Sequence, residues 1–189
     1  SPRGVLQVPM PMRASVRPRP CSSMAVWQRT LLALLLFAGV GASASSAGTV
    51  VAIGGALRDD NNAVWSRLVA LAGGTGARYV VFGTASGNPE RSAARVVALL
   101  ESHGAEAESL PVAPGLPGTD VAQAVRDPEL IARVNAANGV FFTGGAQERI
   151  VDVLRPGGQP TPLLDAIRGV LDRGGVIAGT SAGAAVMSQ

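Results

Sequence analysis

The chain of 189 residues has one cysteine, Cys21, and one histidine, His103. A lone cysteine excludes an internal disulfide framework and a thiolate metal site, and Cys21 lies in a stretch expected to precede the mature protein. A lone histidine leaves no His-rich metal cluster, so no metal is expected, and covalent chemistry has to use oxygen. The strand-to-glycine turn Val51-Ala-Ile-Gly-Gly55 lacks the third glycine of a dinucleotide fingerprint and the Lys-Ser/Thr of a phosphate loop. Nucleotide binding is therefore not expected, nor is any other cofactor. A basic stripe is missing too. The formal charge is +3, yet Arg3, Arg13, Arg17, Arg19 and Arg29 all precede residue 48 with no acid among them, so the remaining 11 basic and 13 acidic residues give −2. Nucleic acid is not an expected partner.

What is present divides the chain into three stretches. Residues 1–23 are Pro- and Arg-rich without periodicity, as in a disordered or translated upstream segment. From Met24 the pattern becomes a charged start at Arg29, an apolar run from Leu31 to Val40 and an exit at Gly41-Ala-Ser-Ala44. That is a secretory signal peptide over 24–47, and its apolar run is short for the ~30 Å hydrocarbon layer. Export by cleavage is expected, with no stable membrane anchor afterwards. The domain proper is expected over 48–189.

Within it, apolar β-branched runs alternate with helical periodicity. Strands are expected at 49–53, 78–82, 107–112 and 139–143, and again at Val176–Ala178. Between them lie a helix carrying Trp65, Leu68 and Val69 and one opened by Asn88-Pro89 with Val96, Val97, Leu99 and Leu100 inward. One or two turns broken at Pro128 follow, then a helix toward Val153 and another opened by Thr161-Pro162. This alternation implies an α/β domain with a mainly parallel sheet and helices on both faces. Ligands of such sheets bind beyond the strand carboxyl ends. Here those ends are Gly54-Gly55, Thr84-Ala85-Ser86, Gly144-Gly145-Ala146-Gln147 and Ser181, small-residue loops that would all share one edge.

The last of these loops organises the rest. Val176–Ala178 breaks into Gly179-Thr-Ser181-Ala-Gly183, the Gly-x-Ser-x-Gly of a nucleophile elbow, followed by helix-forming alanines. A serine on a tight strand-to-helix turn is pushed out of the sheet, and glycines two positions to either side leave space for the strained backbone. With 24 glycines in the chain the bare pattern arises readily by chance, so the flanking strand and helix carry the assignment. Ser181 is the expected nucleophile. The oxyanion donors are expected to be the N–H of Ala182 and one from Gly145, with Gln147 placed to fix a substrate amide or carboxylate. His103 is expected at a helix end on the opposite edge, in a structural role. No histidine follows Ser181, so the base and its orienting acid are expected beyond Gln189, and residues 1–189 alone are expected to be inactive.

Phe141-Phe-Thr-Gly-Gly-Ala-Gln147, Gly179-Thr-Ser-Ala-Gly-Ala184, Val51-Ala-Ile-Gly-Gly55 and Thr84-Ala-Ser-x-x-Pro89 together resemble the cyanophycinase family. Its members are serine peptidases related to aspartyl dipeptidases and class I glutamine amidotransferases. The resemblance implies a three-layer flavodoxin-like sandwich, class I glutamine amidotransferase-like and truncated at its C-terminus. It implies hydrolysis of β-aspartyl-linked cyanophycin to β-aspartyl-arginine dipeptides through an acyl-enzyme on Ser181, with Gln147 as a substrate-binding residue. A peptide or polypeptide substrate is the expected partner, and a homodimer is compatible with the resemblance. The family often has aspartate where this chain has Ala146, which implies weaker contact with an arginine-bearing substrate. An aspartyl dipeptidase or other amide hydrolase of the same fold, or a non-catalytic amidotransferase-like binding domain, are the alternatives.

Overall fold

The computed structural model describes residues 47–55 and 57–188. The segment 1–23 and all but the last residue of the leader expected over 24–47 lie outside the described residues. Five strands form one sheet: β1 (Thr49–Ile53), β2 (Arg78–Phe82), β3 (Glu106–Leu110), β4 (Gly139–Phe142) and β5 (Val176–Thr180). Their order is β1-β5-β4-β2-β3 and every pairing is parallel. Among the described residues seven α-helices accompany them: α1 (Asn62–Leu71), α2 (Pro89–Ser102), α3 (Val121–Ala124), α4 (Pro128–Ala136), α5 (Gln147–Leu154), α6 (Pro162–Asp172) and α7 (Ala182–Ala185).

The central strands are buried on both faces, which is why β2, β4 and β5 read as continuous apolar runs rather than alternating ones. Their side chains still divide by parity. Val80, Phe82, Val140, Phe142 and Ile177 pack with Leu130, Val134, Ile150, Leu163, Ile167 and Val170 of α4, α5 and α6. Tyr79, Val81, Phe141, Val176 and Ala178 pack with Trp65, Leu68, Val69, Ala93, Val96 and Leu100 of α1 and α2. The result is the expected three-layer sandwich. Stacking of Phe82 on Phe142 at 5.2 Å between ring centroids fills one core, and Trp65 against Phe141 at 5.8 Å fills the other. Each such side chain contributes about 1.5–3 kcal/mol by leaving water. The phenol of Tyr79 donates to the Leu68 carbonyl at 2.7 Å, and burial pushes its pKa above the ordinary tyrosine range.

The start signals at Asn88-Pro89 and Thr161-Pro162 act as read, and an asparagine opens α1 in the same way. Asn61 caps Val64 N–H at 3.4 Å, Asn88 caps Arg91 N–H at 3.1 Å and Thr161 caps Leu164 N–H at 3.3 Å, the last two with proline at the first helical position. Several details differ from the sequence expectations, among them that β4 ends at Phe142 rather than at 143 and that β5 runs on to Thr180 rather than stopping at Ala178. The third strand runs from Glu106 to Leu110 rather than 107–112, because Pro111 has no N–H to continue the ladder; its weak alternation is that of an edge strand paired only with β2. Pro128 opens α4 rather than merely breaking a helix, since Asp127 caps Glu129 N–H at 2.8 Å. On α2 the buried residues are Ala93, Val96 and Leu100, with Val97 and Leu99 half-buried at the flanks.

Candidate active site

Parallel pairing puts every strand carboxyl end on one edge, so the four small-residue loops do meet there. β5 leaves the sheet at Thr180, and the chain turns at Ser181 with φ 54° and ψ −117°. Among the described residues Ser181 is the one non-glycine with positive φ. A side-chain-bearing residue held there costs on the order of 1–3 kcal/mol, so neighbours have to impose it. Ser181 N–H donates to the Ile53 carbonyl at 3.1 Å, and the Ser181 carbonyl accepts from Ala184 and Ala185 N–H at 3.0 and 2.9 Å. The flanking glycines are required by space. A Cβ on Gly179 would strike the Gly183 carbonyl, and one on Gly183 would strike the Phe142 carbonyl.

α7, which follows, has four residues before it tightens into a 3-10 turn over Val186–Ser188. The helix end beneath the hydroxyl is thus a single turn. Its individual N–H groups act at Ser181 more than any macrodipole does.

The neighbouring loop is equally constrained. Gly145 has φ 145°, and a Cβ there would collide with the Ala85 carbonyl. Ala146 N–H donates to that same carbonyl at 2.8 Å, and Arg149 Nη1 donates to the Ser86 carbonyl at 2.8 Å. The β4–α5 loop is thereby fixed against the β2–α2 loop. A Cβ on Gly144 would stand 3.2 Å from Ser181 Cβ and 3.8 Å from its Oγ, so the glycine pair lies directly against the elbow.

Ser181 itself is exposed and sits where two concavities meet. One, of about 650 Å³, is lined by Gly54, Gly55, Gly145, Gln147, Ser181 and Ala182, so all four residues singled out in the sequence share it. Ala182 opens α7, so its N–H has no carbonyl within the helix, and no hydrogen bond within the described residues uses the N–H of Gly145 or Ala182. Gln147 is the first residue of α5 and half-buried.

The second concavity, of about 520 Å³, was not anticipated. Leu57, Arg91, Arg95, Thr143, Gly144 and Ser181 line it. Arg91 and Arg95 lie one helical turn apart on α2, a repeat visible in the sequence once the helix is placed but not attributable to this site until the strand order is known.

His103 is remote from all of this. It follows α2, whose C-terminus returns to the edge where β3 begins; its Nδ1 is 2.7 Å from the Leu99 carbonyl and its Nε2 is 3.2 Å from Asn62 Oδ1. Among the described residues no side chain hydrogen-bonds Ser181 Oγ.

Comparison with known proteins gives a family and a fold. The model of peptidase family S51 matches residues 43–189. The cyanophycinases of Trichormus variabilis (strain ATCC 29413 / PCC 7937) and of Nostoc sp. (strain PCC 7120 / SAG 25.82 / UTEX 2576) are each 34% identical to it over 122 residues. Those matches cover 62% of this chain and 37% of each relative, so the matched part spans little more than a third of the relatives' length. The crystal structure of a peptidase from an acI-B1 Actinobacterium superposes with a TM-score of 0.56 at 22% identity, covering 74% of this chain and 56% of that one. That is a likeness of fold.

Proposed function

The chain belongs to peptidase family S51, and from that premise we propose that it carries the nucleophile of a serine peptidase, with Ser181 as the attacking residue. The observation that carries the reading is the left-handed backbone of Ser181, imposed on an exposed serine beside a loop with unused N–H donors.

In the proposed reaction Ser181 Oγ gives its proton to a base and attacks the scissile carbonyl carbon. The carbonyl oxygen becomes an oxyanion and accepts hydrogen bonds from the N–H groups of Ala182 and Gly145. As the tetrahedral adduct collapses, the carbon–nitrogen bond breaks, the leaving amine takes the proton from the base, and an ester remains on Ser181. Water then attacks the ester by the reverse sequence, releasing the acid and restoring the hydroxyl. The reaction needs a base for the Ser181 proton and a group to orient that base, and among the described residues no side chain hydrogen-bonds Ser181 Oγ.

For the substrate we favour β-aspartyl-linked cyanophycin, supported by the 34% identity to two cyanophycinases, with β-aspartyl-arginine dipeptides as product. Ala146, beside Gln147, favours a second reading, an aspartyl dipeptidase, because the loop offers no carboxylate to a guanidinium. Export after cleavage of the leader at 24–47 belongs to the same proposal; N-terminal sequencing of the mature protein checks it. The function is tested by incubating the full chain and its Ser181→Ala variant with cyanophycin and with free aspartyl dipeptides. Dipeptide release by the parent and none by the variant is expected. Cleavage of free dipeptides without attack on the polymer selects the second reading, and unchanged turnover by the variant removes Ser181 from the mechanism.

A further inference from the structure

We infer that the concavity between α2 and the elbow is a carboxylate subsite, in which Arg91, aided by Arg95 and Thr143, binds an acidic group that the substrate carries one residue from the scissile bond. The inference deepens the peptidase reading and rests on it for the identity of the substrate.

Three independent observations meet here. The first is charge placed against local preference. Arg91 stands in the first turn of α2, where the helix dipole disfavours a cation, and Arg95 follows at i+4, where a like charge repels it. Both line the concavity that contains Ser181. Asp59 engages the Arg95 guanidinium in an ion pair, so that of the two arginines lining this concavity Arg91 has no ion-pair partner among the described residues. A pattern that local stability does not favour, repeated on one helix face and lining the concavity of a nucleophile, is what a functional constraint produces.

The second observation is an orphaned polar atom. Thr143 is 3% exposed and lines the same concavity, yet its Oγ1 has no hydrogen-bond partner among the described residues. Its neighbours at the strand ends are satisfied: Thr84 Oγ1 donates to the Val112 carbonyl, and Ser86 Oγ lies 2.6 Å from Ser92 Oγ. A buried hydroxyl is not left unpaired without cost, and a carboxylate oxygen is an acceptor for it.

The third is position. Gly144 separates Thr143 from the oxyanion loop, and its Cα face abuts Ser181. A substrate whose carbonyl sits over Ser181 and points toward Ala182 and Gly145 would therefore extend toward Gln147 on one side and toward Arg91 on the other. A planar carboxylate matches the guanidinium fork, whereas a neutral amide of the same shape does not complement its charge.

The test separates recognition from turnover. In the full chain carrying Ser181→Ala, binding of triaspartate and of triasparagine is measured by calorimetry, with and without Arg91→Gln. The aspartyl peptide is expected to bind about tenfold more tightly, at the low end for a charge-assisted hydrogen bond. Arg91→Gln is expected to remove that preference while leaving triasparagine unchanged, and Arg95→Gln to reduce it by less, because Asp59 already neutralises that residue. With Ser181 intact, Arg91→Gln is expected to raise KM for an acidic substrate about tenfold with kcat within about twofold. Equal binding of the two peptides, or a preference that survives Arg91→Gln, overturns the subsite even if Ser181 proves to be the nucleophile. Persistent hydrolysis by Ser181→Ala would instead overturn the peptidase mechanism, and the binding measurement would still decide the subsite.

Discussion

The two edges of the sheet are built from the same materials, glycines, short loops and a few polar side chains, and treat them in opposite ways. At the edge where strands begin, polar groups satisfy one another. Asn138 Oδ1 accepts from Arg78 N–H at 2.9 Å, and Arg173 Nη2 donates to the carbonyls of Val134 and Ala137 at 3.0 and 3.1 Å. His103 is likewise within hydrogen-bond distance of Leu99 and Asn62. At the edge where strands end, the N–H groups of Gly145 and Ala182 are unused within the described residues, Thr143 Oγ1 is orphaned and Ser181 is strained. The same fold thus separates groups that hold it together from groups kept ready for something else. The unsatisfied edge costs stability, and the satisfied edge and the two cores offset it.

That contrast can be broken most severely at Gly145. Gly145→Ala puts a methyl group onto the Ala85 carbonyl at a φ of 145°. It is expected to cost about 3 kcal/mol in denaturant unfolding, and at least about a hundredfold in turnover of the full chain, the loss associated with one oxyanion donor. Stability without loss of turnover would separate this loop from the site.

Ser181→Gly sharpens the contrast from the other direction. Glycine adopts positive φ freely, so the variant is expected to be about 1 kcal/mol more stable than the parent and inactive. A destabilised variant would mean that the elbow is not strained.

Tyr79, buried in the core beneath α1, supplies a pH-dependent control. Its folded pKa is raised by burial; the stability this represents is complete below the unfolded value near pH 10 and is lost as pH rises from there toward the folded value. Between pH 10 and 11 the parent is expected to lose about 1 kcal/mol through this group, a loss that Tyr79→Phe is expected not to show. Unfolding curves at pH 8, 10 and 11 provide the comparison.

The smallest effect belongs to the satisfied edge. His103→Ala removes contacts from a half-buried helix end and is expected to change stability by no more than about 0.5 kcal/mol, with turnover of the full chain unaltered. A large loss of activity would bring the lone histidine back into the mechanism.

Much of this was legible in the residues. The elbow serine, the glycine pair at 144–145, Gln147 and the capping signals at Asn88 and Thr161 are local patterns, and local patterns survive being read in isolation. The limits of β3 were less legible, since an edge strand lacks the two-sided burial that makes a run uniformly apolar, and its end depended on Pro111 denying the ladder an N–H. The length of α7 was illegible for a related reason: alanines fit an α-helix and a 3-10 turn alike. Arg91 was passed over because it belongs to no short motif, and Thr143, although inside the Phe141–Gln147 motif, because nothing local gives it a role of its own. Arg91 reads as a solvated helix residue and Thr143 as the last residue of a strand until the two are seen beside Ser181.

Local chemistry therefore determined which segments become strands and helices and which serine is forced into a left-handed turn, because steric limits and hydrophobic periodicity act over a few residues. The order β1-β5-β4-β2-β3 was decided only by tertiary packing. That order places β4 between β5 and β2, so the Gly145 loop touches Ala85 on one side and Ser181 on the other, and α2 brings Arg91 to the nucleophile from some ninety residues away. Adjacency of that kind comes from fitting helices onto both faces of a twisted parallel sheet, a long-range balance of buried area that no window of sequence contains.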